Sequence, residues 1–238
     1  MFNMKDFTKK LIAAGMAGIL LAGVFTACSS RKTPDPEPQT QASQAEEPEV
    51  GLSGGWEISS YTVTPELKAY FDEAVGQLDG YFYEPVQLLA SQVVAGMNYA
   101  FLTRSTVMAY NSTPEYAITY IYVDTEGKAA YLGDTRIELP GATGEQLPGG
   151  WSYAEDCLVT DDIIDIMQKA TETFAGATEE PVAYIGSQVV AGMNHAILCK
   201  ETATVPDAVP TFSLVYVYED LDGNCEVTDI VPIELEAA

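Results

Sequence analysis

Few residues of this chain are equipped for covalent chemistry. It contains a single histidine, His195, and four cysteines, of which Cys157, Cys199 and Cys225 share its second half. A thiol nucleophile needs a base within hydrogen-bond reach. His195 and Cys199 are four positions apart in a stretch that reads as a strand, which separates them by about 13 Å at the rise of a strand. No Gly-rich phosphate loop and no paired metal-ligand spacing appears. An enzyme is therefore not expected, nor a cofactor, a metal or a small-molecule substrate. Three cysteines cannot all pair with one another, and outside the cytosol one disulfide plus one buried thiol is the expectation.

What the chain repeats is an element suited to binding. Residues 91–98, Ser-Gln-Val-Val-Ala-Gly-Met-Asn, return unchanged at 187–194, with Gln92 reappearing as Gln188 at an offset of 96. Gln92, Val93, Val94, Ala95 and Gly96, and their counterparts Gln188, Val189, Val190, Ala191 and Gly192, sit between two apolar runs and read as a tight hairpin tip. Glycine permits a positive φ at the turn, and the valines and alanine put small apolar groups where water would ordinarily meet polar ones. Such a protrusion is shaped to enter a cleft.

The elements that must carry these tips repeat with them. Glu84-Pro85-Val86 matches Glu180-Pro181-Val182, Tyr120 matches Tyr216, Gly127 matches Gly223, and Ile137-Glu138-Leu139 matches Ile233-Glu234-Leu235. Gly54-Gly55-Trp56 returns as Gly149-Gly150-Trp151. Two homologous domains follow, at 54–140 and 151–238, with 141–150 as the Gly- and Pro-containing linker. In the first, Thr64 caps a helix with Pro65 at its first position, and Leu67, Tyr70, Phe71, Ala74, Val75 and Leu78 fall on one face before Gly80. In the second, Thr160 caps, Asp161 and Asp162 suit the positive end of the helix dipole, and Ile163, Ile166, Met167, Ala170 and Phe174 form the stripe. Four strand-like runs follow the first helix, near 84–94, 97–108, 115–124 and 128–138, and a short strand from Trp56 to Val63 would open the sheet. The fold class expected is α+β, each domain one helix packed across a four- to five-stranded antiparallel sheet.

On these residues the chain resembles the cystatins, the stefin branch in particular, whose first inhibitory hairpin carries Gln-x-Val-x-Gly followed by Asn-Tyr. The matches are Gln92 to Gly96 with Asn98-Tyr99, and Gln188 to Gly192 with Asn194-His195. Phe71-Asp72-Glu73-Ala74-Val75-Gly76 resembles a cystatin helix, and Gly54-Gly55 and Gly149-Gly150 resemble the glycines of the family's N-terminal trunk. The resemblance implies a reversible inhibitor of papain-like cysteine proteases, in which trunk and hairpins fill the cleft on both sides of the catalytic cysteine without being cut. It departs from the family at the second hairpin, usually Pro-Trp, which here reads Asp124-Thr125-Glu126-Gly127 and Asp220-Leu221-Asp222-Gly223. A histidine, His195, also stands where the first copy has Tyr99, and a lone histidine on a sheet is ordinarily structural.

The start of the chain implies where this happens. Residues 1–27 read as a signal peptide: a positive start with Lys5, Lys9 and Lys10, then an uncharged apolar run from Leu11 to Ala27. The run is short and Gly-containing for a membrane span. Phe25-Thr26-Ala27-Cys28 resembles the lipobox of bacterial lipoproteins, with Phe25 in place of the usual Leu; this implies lipidation of Cys28 and anchoring to the membrane outside the cytoplasm. Residues 28–53, rich in Pro, Glu, Gln and Ser, read as a disordered tether. Beyond residue 27 the chain carries 8 basic and 34 acidic residues, so nucleic acid is excluded as a partner. The competing expectation is a cystatin-fold binding or scaffold module of the cell envelope without a protease target. Exposure separates the two, because an inhibitor needs Val93 to Gly96 and Gly54-Gly55 uncovered at one end of the domain.

Overall fold

The computed structural model of the protein describes residues 55–110, 112–142 and 149–236. Two copies of one pattern follow each other: β1 (Trp56–Thr62), α1 (Pro65–Val75), β2 (Tyr81–Val94), β3 (Gly96–Val107), β4 (Pro114–Val123) and β5 (Ala129–Arg136), then β6 (Trp151–Tyr153), α2 (Asp161–Thr171), β7 (Ala177–Val190), β8 (Gly192–Ala203), β9 (Thr211–Glu219) and β10 (Cys225–Ile233). The protein is α+β, with two antiparallel five-stranded sheets, ordered β1-β2-β3-β4-β5 and β10-β9-β8-β7-β6. Every neighbour in a sheet is a neighbour in sequence, except that each helix is inserted between a first strand and a second.

Both helices start where their caps require. Thr64 Oγ1 accepts from the Leu67 amide at 3.2 Å and Thr160 Oγ1 from the Ile163 amide at 3.5 Å, each satisfying one of the unpaired donors of a first turn. In α1 Phe71, Ala74 and Val75 are buried with Leu88, Phe101, Ile121 and Val123 of the sheet, and Leu67 and Tyr70 close the margin; the helix ends at Val75, short of the expected stop at Gly80, so Leu78 packs against the same cluster from beyond its end. In α2 Ile163, Ile166, Met167 and Ala170 meet Ile197, Cys199, Val215 and Val217. Phe174 is a correction to the expected stripe. The helix ends at Thr171, and Phe174 lies beyond it with its ring exposed.

The opposite face of each sheet is covered too, by the other sheet. Leu89, Leu102, Tyr116, Ile118 and Tyr120 of the first copy and Val182, Ile185, Leu198, Phe212, Leu214 and Tyr216 of the second share one buried cluster. The four layers are therefore helix, sheet, sheet, helix. This explains β4, where Tyr116 to Tyr120 bury without alternation: each side chain meets a packed layer whichever way it points.

The direction of stacking follows from register. Pro85, Thr103, Ala117 and Arg136 form one row across the first sheet, and their counterparts Pro181, Cys199, Ser213 and Pro232 form a row across the second. Along one edge of the interface Glu84, Pro85 and Val86 line a groove with Glu180, Pro181 and Val182. Along the other, Ile118, Arg136 and Ile137 meet Leu214, Pro232 and Ile233. Residues thus face their own repeat counterparts at both edges, which lays a pseudo-twofold axis along these rows, across the strands. Rotation about that axis reverses strand direction, so the sheets run opposite ways. Consistently, the Trp56 indole donates to the Glu236 carbonyl at 3.0 Å, although Trp56 pairs with Gln92 near the hairpin end of its sheet and Glu236 follows the far end of β10.

The cysteines correct the expected disulfide, because Cys157, Cys199 and Cys225 are all free. Cys157 belongs to the core between the sheets and Cys199 to the core beneath α2. Cys199 and Cys225 share the helix side, but Cys199 pairs across from Ser213 and Cys225 from Glu219, six residues or about 20 Å apart along β9. No pair meets the approach a disulfide demands.

Candidate functional site

Each tip is built from the sheet outward. Val94 pairs with Gly96, and Val190 with Gly192, leaving Ala95 and Ala191 alone at the reversals. Gly96 has φ +128° and Gly192 φ +123°, a region L-residues rarely adopt. A Cβ at either position would also lie 2.3 Å from a backbone oxygen, that of Val123 or of Glu219. Glycine is thus fixed by two independent requirements. From the adjacent strand the Tyr122 hydroxyl donates to the Ala95 carbonyl and the Tyr218 hydroxyl to the Ala191 carbonyl, both at 2.5 Å. Tyr122 and Tyr218 are positioning residues for which Gln-x-Val-x-Gly gives no signal; only their shared repeat offset hints at them.

The motif glutamines face inward. Gln92 Oε1 accepts from Asn98 Nδ2 at 2.8 Å, and Gln188 Oε1 from Asn194 Nδ2 at 2.7 Å. Gln188 then uses its own amide to donate to the Gly149 carbonyl at 2.8 Å. Trp56 pairs with Gln92 and Trp151 with Gln188, so Gly55, Gly149 and Gly150 precede a strand laid beside the base of each tip. Gly54 and Cys28 lie outside the described residues. On the other side, Met97 pairs with Val123 and Met193 with Glu219, which brings the turns after β4 and β9 alongside. Trunk, hairpin and second turn therefore form one edge in each copy.

The tips are bare. Val93 and Val94 are 59% and 39% exposed, Val189 and Val190 63% and 43%, with the neighbouring copy in place. Covering these apolar groups would be favourable by about 1.5 kcal/mol or more for each fully covered valine, and both copies leave them exposed.

The second turns differ between copies in a way that bears on contact. Asp124 Oδ1 accepts from the amides of Glu126 and Lys128, both at 2.9 Å. Asp220 does the same for Asp222 and Asn224 and also accepts from the Asn224 side-chain amide at 2.8 Å, and that side-chain bond foremost, with the backbone ones, holds its carboxyl below the usual carboxylate range. The two frames match, but the tip residue is Thr125 in one and Leu221 in the other, and Leu221 is 85% exposed. Leu221 is a candidate anchor that the tip sequence alone did not single out, being flanked by aspartates.

His195 is not part of the edge. It is buried on the helix side of β8, with Nε2 3.2 Å from Glu219 Oε2 and Nδ1 3.1 Å from the Tyr184 hydroxyl. Burial lowers its pKa below the ordinary value, against a smaller opposing effect of Glu219. Burial also pushes the Cys199 thiol up and the Cys157 thiol up to about 11, so neither supplies a thiolate at neutral pH. Among the described residues no group of three or more His, Cys, Asp or Glu is arranged to hold a metal ion. No helix of the described residues is long and apolar enough to cross a membrane. No protein-family model matches the chain, and no curated protein matches it.

Proposed function

We propose that the protein is a reversible, non-catalytic inhibitor of papain-like cysteine proteases, with a cystatin-like fold in each copy, anchored outside the cytoplasm through a lipid on Cys28. The observation that carries this reading is the exposure of Val93, Val94, Val189 and Val190 at tips flanked by trunk and second turn. An edge of this kind inhibits by filling a groove. Its apolar groups leave water on contact, its backbone is already held in shape by Gln92, Gln188, Tyr122 and Tyr218, and little ordering remains to oppose binding. Cys157, Cys199 and His195 are buried, and Cys225, half-buried beside the second turn, has its thiol held above the ordinary value by burial, so inhibition here calls on no covalent step.

The test is titration of papain with the full chain in detergent, alongside Val94→Asp, Val190→Asp and the double variant. Inhibition at or below micromolar concentration is expected from the wild type, with the double variant weaker by about a hundredfold or more, since a buried unpaired carboxylate costs about 3 kcal/mol or above. If the wild type leaves papain and related proteases fully active at micromolar concentration, the proposal fails. A second reading, a cystatin-fold binding module of the cell envelope, then takes its place; the acidic turns at Asp124, Glu126, Asp220 and Asp222 favour it, because they replace the aromatic anchor that the family resemblance implies.

A further inference from the structure

The stacking of the sheets sets the two edges facing away from each other. The tip of the first copy lies at one end of its strands, and the pseudo-twofold axis crosses the row of Thr103, seven residues along β3 from Gly96. At about 3.3 Å per residue each tip projects about 23 Å from the axis, in opposite directions, so the tips are about 45 Å apart. A globular protease of about 200 residues has a radius of gyration of about 16 Å. Two such bodies placed beyond opposite ends do not touch. Nor does occupying one end cover any part of the other, because Gly55, Val93 and Val94 belong to one pole and Gly149, Val189 and Val190 to the other.

We propose that a single chain holds two protease molecules at the same time, one at each end of the sandwich, and so bridges them. The inference rests on the inhibitor reading, but asks something that reading leaves open, since side-by-side edges would have admitted one protease and excluded the second. Bridging also gives the rigid core between the sheets a role. A shared core holds the two edges at a fixed spacing and opposite orientation, whereas two domains on a loose connection would sample many.

The test is a sandwich capture. Papain is immobilised, the full chain is loaded in detergent until saturation, and fresh papain is then passed over the surface. The expected result is a second binding response of about one papain per captured chain. In solution, papain activity is abolished at about half a mole of chain per mole of enzyme. Val94→Asp and Val190→Asp each retain capture through the intact end but lose the second response, and the solution ratio moves to about one. Because both valines are exposed, unchanged thermal melts confirm that these variants fold. Capture of the wild-type chain without a second response, with a ratio of one in solution, overturns the bridging proposal and leaves inhibition standing. Absence of capture overturns the inhibitor reading and bridging with it.

Discussion

The side-chain amide of Gln188 reaches across to the Gly149 carbonyl at 2.8 Å while its oxygen accepts from Asn194, so one residue fastens trunk to hairpin. Gln188→Ala removes both bonds at a half-buried position. Two hydrogen bonds at about 1 kcal/mol each predict a loss of roughly ten- to thirtyfold in protease affinity at the second edge. The melting temperature should move by only a few degrees. Binding measured in a Val94→Asp background isolates this edge, and an unchanged affinity there would remove the fastening role.

Leu221 supplies the second turn of one copy with an apolar group that Thr125 does not offer to the other. Leu221→Ala is expected to weaken the second edge by about tenfold, in line with the 1.5 kcal/mol or so lost when a leucine no longer buries. Thr125→Leu should strengthen the first edge by a similar factor. Competition binding with each edge isolated by a valine substitution reads both effects. Equal affinities before and after would show that this turn makes no contact.

Thr119 lies fully buried on β4, and its hydroxyl has no hydrogen-bond partner among the described residues. The second copy has Val215 at the matching place, also fully buried. Thr119→Val removes an unsatisfied buried hydroxyl with little change in shape, which predicts a gain of about 1 kcal/mol. For a unit of this size that is a rise of about 2–4 °C in melting temperature. A fall in melting temperature would mean that the hydroxyl is satisfied by water.

His195 provides a pH dependence with a definite sign. Burial keeps its folded pKa below the ordinary 6.5, so as pH falls through about 6.5 the unfolded chain takes up a proton that the folded chain refuses. The stability this residue contributes is whole above that pH and is lost below it, down to the folded pKa. Glu219 faces the ring directly, and Asp156, Asp162 and Asp165 line the same cavity beside α2. Glu179, raised by burial, works with the opposite sign from about pH 4.5 upward, so the effect is read as a difference between proteins. Wild type should lose more melting temperature between pH 7 and 5 than His195→Tyr, which installs the first copy's residue. Parallel curves for the two would show that His195 does not titrate across that range.

Much of this was legible residue by residue. Thr64 and Thr160 cap the helices they announce, the stripe from Leu67 to Val75 packs where its spacing puts it, and the strands fall close to the expected runs. What single-copy reasoning could not reach was the partner of the second sheet face. Tyr116 to Val123 alternates between two sets that are both apolar, apart from Thr119. Tyr116, Ile118 and Tyr120 face the other sheet and Ile121 and Val123 face α1, but a pattern within one strand does not name the layer it meets. The disulfide failed for a related reason, since which face a cysteine occupies matters more than how many there are. Phe174 continued the helical spacing past the point where α2 stops, and chain periodicity carries no mark of that ending.

The mutual shelter of the two sheets has a consequence for how such a chain can change over time. It has the organisation of a symmetric dimer joined head to tail, in which a mutation in one half must be answered in the other. Gly186 shows this: a side chain there would strike Leu139 of the first copy and Ser152 beside it, while the matching position in the first copy accommodates Ala90. The halves have become complementary inside, and neither is expendable, even as their hairpin tips, 91–98 and 187–194, stay letter for letter the same.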